Sequence, residues 1–172
     1  MTDHWPKGEP FDRFEGAVKP EWIDPNGHMN LAYYIVLFDN AVTALCEACD
    51  LDWDYTGRTN NGVFAAETHT RYERELLLGE HVRVHTWVLG VDAKRMHLAL
   101  EMLRLPDLRR AATMEMMYLH VDLGTRRVAP WPAEQRERIE ALAAAHAGCA
   151  PDWVGRRVMP LSDLAPRGFG AI

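Results

Sequence analysis

The sequence predicts an α+β domain: one antiparallel sheet wrapped around a single long central helix. Three observations point to it. An apolar pattern of helical period begins at Leu31, four β-like runs follow with short turns between them, and a charged helical pattern comes after the last run. The chain has 172 residues, enough for one domain with a sizeable core. Hydrophobic residues make up 48% and charged residues 26%, a composition typical of globular proteins in water.

Taken in order, residues 1–13 read as an N-terminal arm, with Pro6, Gly8 and Pro10 breaking any regular pattern. Residues 14–148 read as the folded domain and 149–172 as an extended C-terminal tail. Phe14, Gly16 and Val18 share one side of a short first strand ending near Lys19. Pro20 and Pro25 prevent helix or central strand from continuing through the next stretch. From Leu31 to Asp50, Leu31, Tyr34, Ile35, Phe38, Ala41, Val42 and Leu45 recur at helical spacing. The opposite side is also apolar, which predicts a helix buried nearly all round. Asn30 suits its N-cap. Residues 50–61 are polar and read as loop. Strands are expected over Val63–Arg74, His81–Val91, Arg95–Leu105 and Ala111–Asp122, the middle two showing clear period-two alternation. Their short turns favour antiparallel neighbours. Pro132 opens a surface helix from Ala133 to about Ala147, closed by Gly148. Trp153, Val158, Met159 and Leu161 give the tail something to dock with.

Several classes are disfavoured. A net charge of −6 argues against nucleic acid. No apolar run reaches the roughly 20 residues of a membrane span. The first residues lack the apolar segment of a signal peptide. Three cysteines without a framework suggest a reducing compartment, so the expected location is cytoplasmic. Cys46-x-x-Cys49 has no second pair to complete a zinc site and reads as core packing. His81 and His85 lie ~13 Å apart on a strand, too far for one metal. No metal is expected.

The chemically dense stretch is Asp24-Pro25-Asn26-Gly27-His28-Met29-Asn30, one short loop before the apolar helix. A helix start offers unpaired N–H groups and a positive dipole end. It favours an electron-rich oxygen, as it favours any anion. Asp24 can act there as nucleophile or general base, or merely hold a turn before proline. His28 can face the carboxylate or the substrate, or bond loop carbonyls. Asn26 can orient water or tighten the turn, and Gly27 supplies positive φ or close backbone approach. Glu67 and His69 share one side of the second strand with Thr68 on the other. They read as a polar site or as solvent-facing edge positions. Lys94 and Arg95 offer charges to phosphates, or form a solvated turn.

The string Asp24 to Tyr33, with the helix and strands that follow, resembles hotdog-fold thioesterases of the branch related to 4-hydroxybenzoyl-CoA thioesterase. The similarity spans residues 14 to about 147. It implies a hotdog fold and an acyl-CoA hydrolase releasing CoA and a carboxylic acid, with no cofactor beyond the CoA of the substrate. It also implies a homodimer, or a dimer of dimers, with sites at the subunit seam. On this resemblance Asp24 is catalytic with His28, and the helix-start amide near Leu31 polarises the carbonyl. Asn26, Gly27, Asn30, Tyr33, Glu67, Thr68 and His69 border the substrate, and Lys94 and Arg95 approach CoA phosphates. A narrower likeness, from Pro20 to Met29 with Glu67-Thr68-His69, is to betainyl-CoA thioesterases, whose acyl group carries a quaternary ammonium; Asn30-Leu31 departs from it. Trp22, Tyr33 and Tyr34 would offer aromatic faces to such a cation. The alternatives are a hotdog enoyl-CoA hydratase and a non-catalytic acyl or CoA binder. The hydratase pattern Asp-x-Asn-Pro-x-His is not matched, because Gly27 follows Asn26 and His28 sits one residue too close to Asp24.

Overall fold

The computed structural model describes residues 5–156. Its elements are β1 (Phe11–Ala17), α1 (Leu31–Ala48), α2 (Trp53–Thr59), β2 (Asn61–Tyr72), β3 (His81–Val91), β4 (Arg95–Leu105), β5 (Arg109–Asp122), β6 (Arg127–Val128) and α3 (Ala133–Ala145). All strand pairs are antiparallel, in the order β1-β3-β4-β5-β2, with β6 added to β5. β3, β4 and β5 are successive hairpins, as their short turns require. β2 skips β3 and pairs with β5, so it forms a sheet edge.

The sheet wraps α1. Met96, Leu98, Leu100 and Met102 of β4 and Met114, Met116 and Tyr118 of β5 form one core with Tyr34, Leu37, Phe38, Ala41, Val42 and Leu45 of α1. By length and mean hydropathy, 18 residues at 1.3, α1 could cross a bilayer; here its apolar side fills the sheet instead. Burial is not all round, however. Leu31 is 61% exposed and Val36 41%. The sheet covers one side of α1, and the second apolar side stays open.

Several local readings are corrected, β2 among them, which spans Asn61–Tyr72 rather than Val63–Arg74. β1 starts at Phe11, three residues earlier than expected. A bulge between Phe11 and Phe14 sets Asp12 and Arg13 out of register and hides the alternation. Residues 50–61 are not all loop, since α2 forms within them. Asp52 caps it, its side chain accepting the Tyr55 N–H at 2.8 Å, while Tyr55 is buried and Asn60 ends it in left-handed backbone. β5 starts at Arg109 rather than Ala111. Cys46 and Cys49 are both buried, and burial pushes the Cys46 thiol far above its usual range, which leaves it inert. Trp153 docks against Trp87 and Ala99, so the start of the tail lies on the sheet. Val158, Met159 and Leu161 lie outside the described residues.

Candidate active site

The Asp24–Asn30 loop is a closed hairpin that delivers the chain to α1. The Asp24 N–H donates to His28 O at 3.0 Å, the Gly27 N–H to Asp24 O at 2.9 Å, and the Asn30 N–H to Trp22 O at 2.9 Å. Met29 is buried, and its N–H donates to Leu76 O at 2.8 Å, pinning the loop to the body. Gly27 has φ +86°, and a Cβ there would meet nothing within 4 Å. Left-handed backbone, not a close approach, is what calls for glycine within this chain.

Asp24 is half-buried. Its Oδ1 accepts the Asn26 N–H at 2.8 Å, and its Oδ2 lies 3.5 Å from Asn30 Nδ2. Asn30 works in two directions. Its Oδ1 accepts the Ala32 N–H at 3.0 Å as the cap of α1, while its amide nitrogen reaches the carboxylate. The Tyr33 N–H donates to Asn30 O at 3.0 Å. The Leu31 N–H therefore has no acceptor among the described residues. One side chain thus holds a carboxylate beside a helix mouth with an open donor. That pairing can attack a carbonyl carbon and receive the charge that grows on its oxygen.

The other candidates distribute unevenly. His28 Nδ1 contacts Met29 O at 3.3 Å rather than the Asp24 carboxylate. Asn26 is exposed and reaches Asp24 through its backbone N–H. Tyr33 stacks on Trp22 with centroids 5.1 Å apart, and the Lys19 ammonium lies over the same indole at 5.1 Å. Tyr34 is buried and donates to Arg74 O at 3.0 Å. The rings of Trp22 and Tyr34 are thus engaged inside the chain.

On β2, Glu67 and His69 pair with Met117 and Glu115, on the face away from α1; Thr68 pairs with Met116, on the α1 side. All three lie on the sheet edge, and among the described residues no hydrogen bond joins their side chains to the Asp24 loop. Lys94 lies in the β3–β4 turn and Arg95 opens β4. Asp92 Oδ1 accepts both their N–H groups, and its Oδ2 accepts Arg95 Nε at 2.7 Å. The Lys94 N–H and then the Arg95 guanidinium hold the Asp92 carboxyl at about 2. Arg95 and Phe64 both pair with Leu119, whereas Tyr72, at the other end of β2, lies 3.5 Å from Leu31 O. Eight residues of strand separate those ends, ~26 Å. Lys94 and Arg95 therefore stand at the opposite end of the sheet from Asp24 of the same chain.

Sequence reasoning missed two features. Arg126 lies 5.9 Å from the Phe64 ring centroid, so the Arg126-Arg127 doublet adds positive charge to the Arg95 end. A cavity of about 120 Å³ opens between α1, α2 and the β2–β5 pair, lined by Asp39, Cys46, Leu51, Trp53, Val63 and Tyr118 among others. Only the doublet was visible as a local signal in the sequence.

Comparison with known proteins identifies the family. The profile of the thioesterase-like superfamily matches residues 18–139. A betainyl-CoA thioesterase of Pseudomonas aeruginosa is 39% identical over 145 residues, covering 83% of this chain and 91% of that one. An L-carnitine dehydrogenase/betainyl-CoA thioesterase of Rhizobium meliloti is 32% identical over 150 residues. That match covers 87% of this chain but 30% of the longer relative. A Staphylococcus aureus protein solved in complex with CoA superposes with a TM-score of 0.81 at 26% identity, over 88% of this chain and 97% of that one. By its matched profile, its curated relatives and its sheet-wrapped helix, the chain belongs to the thioesterase-like superfamily and is a hotdog-fold thioesterase.

Proposed function

We propose that the chain hydrolyses acyl-CoA thioesters at a seam between two copies of itself. Asp24 acts as nucleophile or general base and the Leu31 N–H as oxyanion donor. The observation that carries this reading is the double engagement of Asn30, which sets the carboxylate beside the open helix mouth. In the nucleophilic course, an Asp24 oxygen bonds to the thioester carbon and the C–S bond breaks. CoA leaves as its thiolate, and water then cleaves the mixed anhydride to release the acid. In the general-base course, Asp24 takes the proton of the attacking water. Either way one water is consumed, and one carboxylic acid and one CoA thiol form. A betainyl ester is the first substrate to try, because the 39% identical relative is named for it.

Two observations support the seam. Among the described residues β2 has a partner strand on one side only, and exposed Leu31, Val36, Phe64 and Tyr72 are available beside it. Antiparallel pairing of two β2 edges also brings one chain's Asp24 end next to the other's Lys94-Arg95 end. That resolves the ~26 Å separation within a single chain. The test is thiol release from a panel of acyl-CoAs, including an enoyl-CoA. Wild-type protein should release thiol and Asp24→Asn should lose ~10²-fold or more in kcat. Hydration of the enoyl ester without thiol release would favour a lyase. A folded Asp24→Asn protein with normal turnover would remove the carboxylate's role.

A further inference from the structure

The bond from the Met29 N–H to Leu76 O ties the Asp24 loop to the β2–β3 connection, residues 73–80. That connection ends in a tight turn. The Glu80 N–H donates to Leu77 O at 3.1 Å, and Gly79 takes φ +79° to close it. The Glu80 side chain folds back over the same turn. Its Oε2 accepts the Leu77 N–H at 2.9 Å, and its Oε1 accepts Arg104 Nη1 of β4 at 3.3 Å. Arg104 is held in turn by Asp107, to which its Nε donates at 3.2 Å.

A peptide group is planar, with its C=O and N–H at opposite ends. The N–H that Glu80 grips belongs to Leu77, so the same peptide carries the Leu76 C=O. That carbonyl accepts the Met29 N–H at 2.8 Å. The Met29 N–H shares its peptide with the His28 C=O, which accepts the Asp24 N–H at 3.0 Å. Two rigid units therefore connect the Glu80 carboxylate to the main chain of Asp24. A charge-assisted bond at one end polarises the peptides after it and strengthens the bonds that their carbonyls accept. Leu76 is 0% exposed and Met29 1%, so water competes little in the middle of this relay.

We propose that Glu80, paired with Arg104, is a positioning residue for Asp24 and acts through these two peptides. The proposal rests on the hydrolase reading above, in which Asp24 meets the thioester. Asn30 holds the carboxylate end of Asp24. Glu80 holds the main-chain end from which that side chain springs. Both ends count, since a displacement of about 1 Å can cost ~10²-fold in rate. The relay contains no group offered to CoA, so its loss should act on kcat and leave KM alone.

The test uses two variants. Glu80→Gln keeps the shape and one acceptor oxygen but removes the charge, and Glu80→Ala removes both. Thiol release is followed with the best acyl-CoA of the panel above. kcat should fall several-fold in Glu80→Gln and about tenfold or more in Glu80→Ala, with KM within about twofold of wild type. Amide proton shifts give the signature that a merely loosened loop lacks. In Glu80→Gln the Leu77, Met29 and Asp24 amide protons should move upfield in decreasing steps as the bonds weaken along the relay. The Gly27 and Asn30 amides donate to Asp24 O and Trp22 O, off the relay, and should hold. Equal shifts throughout the loop, or none at Met29 and Asp24, would overturn the relay. A folded Glu80→Gln protein with wild-type kcat would overturn the positioning role whatever its shifts or Tm. If Glu80→Ala does not fold, Glu80→Gln decides alone. Failure of the wild type to release thiol from any ester would overturn the hydrolase reading instead, and the amide shifts would then judge the relay by themselves.

Discussion

Asn30 is the residue through which cap and catalyst can be separated. Asn30→Ala removes the acceptor for the Ala32 N–H and the amide facing Asp24 Oδ2. Loss of an N-cap costs about 1 kcal/mol, which in a domain of this size lowers Tm by roughly 3 °C. The carboxylate also loses its partner at 3.5 Å, and a displacement of about 1 Å can cost ~10²-fold in rate. Asn30→Asp separates the two effects. Aspartate caps about as well as asparagine, so Tm should stay within roughly 1 °C. It cannot donate to Asp24, however, and sets a second carboxylate where the amide stood. Two like charges that close resist ionising together. Turnover should therefore fall by about tenfold or more, and the acid limb of the pH–rate profile should move to higher pH. Thermal melts and thiol-release kinetics from pH 5 to 9 decide it. An Asn30→Asp protein with the wild-type rate and profile would show that the Asn30 amide does not orient the carboxylate.

Three more outcomes are expected. Lys94→Ala with Arg126→Ala should raise KM for CoA esters several-fold and leave KM for a thioester truncated before the phosphates little changed; equal effects on both would remove the phosphate role. Asp52→Ala should cost about 1 kcal/mol in urea unfolding by uncapping α2. Burial depresses His120 and His146 below the usual imidazole range, and His146 Nδ1 accepts the Val88 N–H at 2.9 Å. Their neutral forms belong to the folded state, so stability should be level above about pH 6.5 and fall below it, by at most about 1.4 kcal/mol per pH unit for each ring. His146→Gln should flatten that slope in denaturant titrations, and an unchanged slope would contradict the assignment.

Much of this was readable because the signals are local. β3 and β4 fell at their expected bounds because one face is buried and alternation is clean. Asp24 and Asn30 lie six residues apart, and the loop that joins them is built from proline and glycine chemistry. β1 was shortened because a bulge breaks the alternation at Asp12 and Arg13. α2 was missed because seven polar-rich residues bury only Tyr55; the Asp52 cap three residues before Tyr55 was the available sign. The Asp39–Tyr118 pair was invisible because 79 residues separate its members until α1 lies across β5. The open side of α1 escaped notice because apolar periodicity marks a surface to be covered, not what covers it.

Sheets commonly guard a bare margin with proline, lysine or a covering segment. β2 contains neither proline nor lysine over its 12 residues. A newly made chain therefore carries an adhesive ledge until another strand occupies it. If that strand belongs to a sister molecule, folding and assembly become a single equilibrium. Specific activity should then decline on dilution, and the midpoint of unfolding should rise with protein concentration.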